Sequence, residues 1–215
     1  YEKAKSLDTE NEHADNLLVL AYNLAQLEMN GAVKSWDAES YMDAYHGFSR
    51  AESFIPGDTT LLYYAGAAAI QGQDYQAALG KYLQLVDVAE YSNHKQIILD
   101  VPRIYMMEGD TVSAVKHATL AMDKYPEDTE VVTQFIEYNL LTGNEKEVIE
   151  TIKQLSAKEP NNKVIHYYLG LAYSSMADDI QAEEAYKKAL AIDPNFADAN
   201  INLGGLILNR GIDQW

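Results

Sequence analysis

Apolar residues recur at every third or fourth position along most of this chain, which is the spacing of one face of an α-helix. In His13–Met29 this face includes Leu20 and Leu24, and Thr59–Ala89 shows the pattern twice, on either side of the turn Gly72–Tyr75. No alternating pattern typical of a β-strand lasts longer than a few residues. The spacing predicts an all-α chain of roughly eleven or twelve helices.

Two stretches depart from the regular pattern. Asn30–Gly31 predicts the end of the first long helix, because glycine is favoured just after a helix C-terminus. Residues 30–37 would then form an insertion that contains Trp36. Pro102 lies in the middle of another predicted helix, where proline lacks an amide donor and crowds the carbonyl of Ile98. We expect a kink or a late helix start there.

One stretch, Lys163–Phe196, carries small and large residues at offsets that other windows of the chain repeat. The residues at these offsets are His166, Leu169, Gly170, Tyr173, Ala182, Tyr186, Ala189 and Pro194. Pro126, Pro160 and Pro194 also stand 34 residues apart (160 − 126 = 194 − 160 = 34). The stretch resembles a tetratricopeptide repeat (TPR), whose pattern is Trp, Leu, Gly, Tyr, Ala, Phe, Ala and Pro, so only His166 departs plainly.

The resemblance covers nearly the whole chain and implies a right-handed TPR superhelix, which is an α-solenoid of antiparallel helix pairs. We expect a single array that begins with the end of a preceding repeat at 1–8 and an irregular repeat with an insertion at 13–58. Further repeats follow at 59–94, 95–128, 129–162 and 163–196, with a partial repeat at 197–215. Repeat 129–162 matches least well, because Ile136 and Asn139 replace glycine and tyrosine.

The resemblance also implies where a partner would bind, because the first helix of each repeat lines the concave surface in this family. The implied groove residues are Tyr22, Tyr63, Arg103, Glu137, Tyr167 and Asn202. Tyrosine suits a recognition surface, since it offers a large rigid face and a hydroxyl at a small cost in entropy. The alternative is that the pairs Tyr63-Tyr64 and Tyr167-Tyr168 only wedge adjacent helices.

One known type of TPR ligand can be judged from the sequence. Co-chaperones that grip a C-terminal Glu-Glu-Val-Asp peptide use clustered Lys, Arg and Asn, because a terminal carboxylate needs converging cationic donors. The corresponding residues here are Tyr63, Ala67, Arg103, Thr133, Glu137 and Leu171. One arginine beside a glutamate is not that clamp, so we expect no binding of such a peptide.

Composition narrows the choice of partner. With 16 Lys and Arg against 33 Asp and Glu, the net charge is −17, which argues against nucleic acid because its affinity comes largely from cationic side chains. The acidity either keeps a helical array soluble or recruits a basic partner. The chain has no cysteine, which excludes a disulfide scaffold and a thiolate metal site. No stretch is apolar enough to predict a membrane helix, and the compartment stays open, export or association with the cell envelope included.

No motif in the sequence predicts catalysis. The five histidines are scattered without a His-Glu-x-x-His pair, and there is no glycine-rich phosphate loop or nucleophile elbow. We therefore expect no enzyme activity, no metal and no cofactor. The resemblance implies a scaffold or adaptor that holds a peptide or protein partner. The alternatives are the regulatory or docking portion of a longer enzyme or sensor, and a self-associating structural protein.

Both ends of the sequence fall inside repeats on this register. Tyr1–Leu7 resembles the end of a second helix, and Ala197–Arg210 resembles a first helix whose apolar stripe, with Leu203 and Leu208, lacks cover. We expect the natural protein to continue past Trp215. The alternatives are a homodimer formed through this stripe, and Trp215 folding back over it.

Overall fold

Twelve α-helices and no strand make up the part of the chain that the computed structural model describes, residues 1–7, 13–88 and 90–212. The helices are α1 (Glu2–Leu7), α2 (Ala14–Asp37), α3 (Tyr41–Phe54), α4 (Thr59–Gln71), α5 (Tyr75–Val86), α6 (His94–Glu108), α7 (Thr111–Lys124), α8 (Thr129–Leu141), α9 (Glu145–Lys158), α10 (Lys163–Ser175), α11 (Asp179–Ile192) and α12 (Ala197–Ile212). The predicted all-α class is confirmed. The predicted polar break at 8–12 and the suggested role of Trp215 lie outside the described residues.

The chain forms two compact units, Tyr1–Ala114 (unit 1) and Val115–Trp215 (unit 2). In unit 1, alanines of α2 and α3 pack with Phe48 and Leu61, and a second cluster around Tyr82 and Ile97 joins α4, α5 and α6. In unit 2, the main cluster joins α8, α9 and α10, and a smaller one around Tyr186 joins α11 and α12. Each unit therefore buries the apolar stripes of neighbouring helices against one another.

Short polar side chains fix where many of the helices begin. The N-cap residues Asp58, Asp74, Asp128, Asn162 and Asp178 accept hydrogen bonds from backbone N–H groups two or three residues further on. Such caps satisfy amides that have no partner inside the helix. His166, which stands where the family has tryptophan, is buried and donates from Nε2 to the carbonyl of Pro160 at 2.8 Å. It is thus a core residue that ties α10 to the preceding loop.

Left-handed residues close the turns between paired helices at a regular interval. Gln73, Gly109, Gly143 and Ala177 have φ of 61°, 87°, 78° and 58°. The last three stand 34 residues apart (143 − 109 = 177 − 143 = 34), the same interval as the prolines. The division into repeats stays a prediction. The 34-residue interval between left-handed residues is the repeat length that this division assumes.

Two hairpins depend on a glycine that faces a tyrosine. A Cβ added to Gly66 on α4 would lie 2.3 Å from Cε1 of Tyr82 on α5. A Cβ added to Gly170 on α10 would lie 2.4 Å from Cε1 of Tyr186 on α11. These distances are far shorter than van der Waals contact, so only glycine allows each ring to lie against the neighbouring backbone.

The predicted end of a helix at Asn30–Gly31 is wrong. Gly31 does not end a helix, because α2 continues to Asp37 as a single helix. The physical reason is contact with α3: a Cβ on Gly47 would lie 2.7 Å from Cβ of Ala32, and Trp36 packs against the same core. Burial of these residues stabilises the extra turns, and the supposed insertion is helical.

The predicted late helix start near Pro102 is also wrong. Helix α6 begins at His94 and runs through Pro102 to Glu108. Pro102 itself is buried, together with Val101 and Ile104. Packing of this apolar face outweighs the missing hydrogen bond and the crowded carbonyl of Ile98, which together cost about 3 kcal/mol in a helix interior.

Candidate functional site

The six predicted groove residues all lie on first helices of predicted repeats, three in each unit. Tyr22, Tyr63 and Arg103 lie on α2, α4 and α6 of unit 1, and Glu137, Tyr167 and Asn202 lie on α8, α10 and α12 of unit 2. Tyr22, Arg103 and Glu137 are exposed, and the other three are half-buried. None of the six belongs to the buried core, so each is available in part to a partner. The prediction that they line one groove stays a prediction.

In unit 1, Tyr63 is held by other aromatic rings. Its ring stacks on Tyr82 with the planes 9° apart and the centroids 5.9 Å apart, and it meets Tyr64 edge to face at 5.5 Å. Tyr82 is itself fixed against Gly66. Because each ring rests on the next, Tyr63 is pre-ordered before any partner arrives.

An ion pair on α6 involves the carboxylate that acts on Tyr82. Nη1 of Arg103 lies 2.7 Å from Oδ1 of Asp100, one turn earlier on α6. Burial raises the pKa of Tyr82, and Tyr63 and the charge of Asp100 raise it further. The carboxylate of Asp100, which acts on Tyr82, is therefore already paired with a cation.

Sequence reasoning missed another contributor to this cluster. Burial is the main cause that raises the pKa of Tyr91, and Tyr63 and Tyr64 contribute to the rise. Tyr91 and Tyr63 pack against the same apolar cluster, although Tyr91 lies in the loop before α6. It falls in the extra residues that lengthen repeat 59–94 beyond the usual interval. That irregularity was the signal that could have drawn attention to it.

In unit 2, Tyr167 connects three helices. Nδ2 of Asn202 on α12 donates to its hydroxyl at 3.4 Å. Its ring also contacts Tyr186 on α11 and Phe196, with centroids 6.1 Å and 5.3 Å away. Tyr168 follows it on α10, at 5.8 Å. The structure thus brings Tyr167 and Asn202 together, and it packs one side of Tyr167 as the wedge alternative requires.

Two carboxylates lie near these tyrosines of unit 2. Burial raises the pKa of Tyr168 to about 12, and the charge of Glu137 is the next cause. Burial also raises the pKa of Tyr167, followed by the charge of Asp198 at the start of α12. Both carboxylates are exposed, and among the described residues neither has an ion-pair partner. Sequence reasoning found Glu137 and missed Asp198, because Asp198 comes near Tyr167 only when α12 packs beside α10.

Tyr22 is the most exposed tyrosine of the predicted set, at 56%. Leu18, one helical turn earlier on α2, is 52% exposed. The two side chains form an exposed apolar patch on α2. The tyrosines Tyr63 and Tyr64 belong to a different helix, α4.

Two other kinds of site are missing from the described part of the chain. No group of three or more His, Asp and Glu residues is placed there to hold a metal ion. Among the same residues, no helix combines the length and the apolar character that crossing a membrane requires.

Comparison with known proteins places this fold. Residues 164–196 match the model of the tetratricopeptide-repeat family. No curated protein sequence matches the chain. Among solved structures, YrrB, a TPR protein with an unusual peptide-binding site, is 17% identical with a TM-score of 0.63, over 80% of this chain and 88% of YrrB.

Two further structures show the same likeness. MamA from Desulfovibrio magneticus RS-1 is 18% identical with a TM-score of 0.62, over 72% of this chain and 87% of that one. A thermophilic TPR protein of Thermus thermophilus is 21% identical with a TM-score of 0.52, over 86% of this chain and 99% of that one. Proteins of this fold are typically scaffolds that bind other proteins or peptides. The chain therefore contains a tetratricopeptide repeat at 164–196 and has the all-α solenoid fold of TPR proteins.

Proposed function

We propose that this chain is a protein-binding scaffold that holds a peptide or protein partner on its first helices and catalyses no reaction of its own. The observation that carries the proposal is the pair of ordered tyrosine clusters, one on α4 and one on α10, each resting on a tyrosine of the second helix. Rings that are fixed in place and partly exposed bind at a small cost in entropy.

YrrB, whose fold this chain shares, has a peptide-binding site. That likeness supports the class of function and carries no residue across. The partner is proposed to be a protein segment and not nucleic acid, because a chain with a net charge of −17 repels a phosphate backbone.

A second candidate is self-association through α12. Ile201 is 71% exposed and Leu208 is 68% exposed on the side of this helix opposite its buried residues Ala199 and Leu206. Exposed apolar patches of this kind often mark interaction sites. Sedimentation over a wide concentration range tests it: a homodimer requires a mass that rises with concentration and falls back in Leu208→Glu.

Photo-crosslinking tests the proposed binding surface with a matched control. A photoreactive amino acid replaces Glu137 on α8 in one variant and Glu147 on α9 in the other. Both glutamates are exposed and belong to the same hairpin, but they lie on first and second helices respectively. In an extract of the native source, position 137 should give a discrete crosslinked protein and position 147 should not. Equal crosslinking from both positions would contradict the proposal.

A further inference from the structure

One surface of unit 2 combines two tyrosines with two carboxylates and an amide, contributed by three first helices. We call it the acidic tyrosine surface, and its residues are Glu137, Tyr167, Tyr168, Asp198 and Asn202. We propose that it binds a lysine or arginine side chain, so that the partner of this unit is a basic protein segment. This inference rests on the proposed scaffold function and adds the chemical class of the partner.

The carboxylates provide the first part of the recognition. Glu137 and Asp198 are exposed, come from α8 and α12, and have no cation paired with them in the described residues. An incoming ammonium or guanidinium group would form the charge-assisted hydrogen bonds that they lack. The net charge of −17 attracts such a partner from a distance as well.

The tyrosine rings provide the second part. A cation within about 6 Å of an aromatic ring centroid is attracted by the electron-rich face of the ring. Tyr167 and Tyr168 lie side by side on α10, and both rings are half-buried. Tyr168 packs against the apolar cluster that includes Ile136 of α8. Tyr167 contacts Asn202, one helical turn after Asp198 on α12. A surface that offers rings together with negative charge favours a cationic side chain over a neutral or acidic one.

The chain itself contains this arrangement at a neighbouring place. Nζ of Lys163, at the start of α10, pairs with the carboxylate of Asp193 and lies 5.0 Å from the ring centroid of Phe196. The ring of Phe196 in turn contacts Tyr167. Because Lys163 already has its carboxylate, it leaves Asp198 and Glu137 to a cation from outside.

Asn202 completes the set of acceptors. Its Nδ2 donates both to the hydroxyl of Tyr167 and to the backbone carbonyl of Asp198, at 3.4 Å and 2.8 Å. Fixing Nδ2 in this way leaves Oδ1 as the acceptor of the amide. Hydrogen-bond acceptors therefore predominate on this surface. Lysine and arginine side chains carry only N–H donors, so they are the side chains that such a surface suits.

The test uses a blocked peptide with three arginines separated by Gly-Ser, and the same peptide with glutamine or with glutamate in place of arginine. The protein carries isotope-labelled tyrosine, so that NMR reports each ring. The arginine peptide should shift the signals of Tyr167 and Tyr168 in a saturable way, and the other two peptides should not. Raising the ionic strength to about 0.5 M should weaken the effect by screening.

Matched variants separate this surface from general attraction to an acidic protein. Glu137→Gln and Asp198→Asn should each weaken arginine-peptide binding by roughly two- to fivefold. Glu147→Gln on α9 and Asp179→Asn on α11 remove the same charge from exposed second-helix positions and should leave affinity unchanged. Equal losses in all four variants, or shifts spread over tyrosines elsewhere, would overturn the inference.

Different results would contradict the scaffold function and the cationic class of the partner. If residue 137 crosslinks to a partner while the arginine peptide leaves Tyr167 and Tyr168 unchanged, the scaffold function stands and the cationic class is wrong. If neither crosslink nor shift occurs, both are wrong.

Discussion

The hairpins α4–α5 and α10–α11 close in the same way and differ in the charges around their exposed tyrosines. In each, a glycine of the first helix receives a tyrosine ring of the second, at Gly66 and Tyr82 or at Gly170 and Tyr186. In each, a further tyrosine of the first helix rests on that ring. The packing thus determines where a partly exposed tyrosine is placed, whatever its surroundings.

The surroundings are what distinguish the two hairpins. Near the first hairpin, Asp100, the carboxylate that acts on Tyr82, is paired with Arg103. Beside the tyrosines of α10, Glu137 and Asp198 are exposed and have no cation paired with them in the described residues. The comparison teaches that one packing arrangement can stand in two different charge environments, since none of these four charged residues of α6, α8 and α12 takes part in the glycine–tyrosine contact.

The largest expected effect comes from breaking the shared packing. Gly170→Leu or Gly66→Leu places a side chain where Tyr186 or Tyr82 already lies, so each should lower the free energy of unfolding by about 3 kcal/mol. Thermal melting followed by circular dichroism measures the loss. Gly80→Leu is the matched control, because Gly80 lies on the exposed side of α5 with no atom within 4 Å of an added Cβ. Equal melting of Gly170→Leu and the parent would show that the glycine–tyrosine contact is not required.

Removing the exposed tyrosines separates recognition from packing. Tyr63→Ala and Tyr167→Ala should each weaken partner binding by about tenfold, as loss of an aromatic anchor does. The control is Tyr75→Ala, a half-buried tyrosine at the start of the second helix α5. Affinity is measured well below the melting temperature of each variant. Unchanged affinity together with a lower melting temperature would mean that both tyrosines act only as wedges.

Changing one charge should make the first hairpin behave like the second. Arg103→Gln removes the guanidinium that pairs with the carboxylate of Asp100 near Tyr63 and Tyr82. Arginine-peptide binding at the tyrosines of unit 1, which we expect to be too weak to shift their NMR signals in the unsubstituted protein, should then rise by roughly two- to fivefold and become detectable. Arg50→Gln is the control, because Arg50 forms a similar exposed pair with Glu28 on the helices α3 and α2. If Arg50→Gln raised the affinity for the arginine peptide equally, the effect would come from the net charge of the protein and not from the loss of the pair between Arg103 and Asp100.

The smallest expected effect concerns the turn of the second hairpin. Ala177 has a φ of 58°, a left-handed conformation that glycine adopts without steric cost, as Gly143 does at the equivalent turn. Ala177→Gly should therefore stabilise the protein by about 0.5 kcal/mol, and Gly143→Ala should destabilise it by about 1 kcal/mol. Denaturant unfolding measures both. A loss of stability in Ala177→Gly would mean that strain at this turn is relieved elsewhere.

The sequence predicts the packing of two helices best at positions where their close contact allows only one type of residue. Gly170 and Tyr186 could be paired in advance, because only a residue without a side chain accepts a ring at that place. The hairpin α8–α9 has Ile136 and Ile152 at the equivalent positions, both fully buried. Its two helices approach each other less closely than α10 and α11 do. An apolar pattern cannot reveal that difference in spacing.

The candidate surfaces were harder to predict, because they depend on neighbours that are distant in sequence. Tyr63 and Tyr167 follow from the position each has in its repeat. Tyr91 and Asp198 do not, since the first lies in an irregular loop and the second opens a helix that only packing brings beside α10. The continuation of α2 through Gly31 was missed for the same reason, because the small residues of α3 that stabilise it are distant in sequence.

The central claim is that the charge beside an ordered tyrosine selects the partner of this scaffold. Calorimetric titration of the unsubstituted protein with two peptides of equal length tests it most directly. One peptide carries arginines and the other ends in Glu-Glu-Val-Asp. The arginine peptide should bind, with an affinity that Asp198→Asn reduces, while the acidic peptide should give no measurable heat of binding. Micromolar binding of the acidic peptide, or equal binding of both, would contradict the claim.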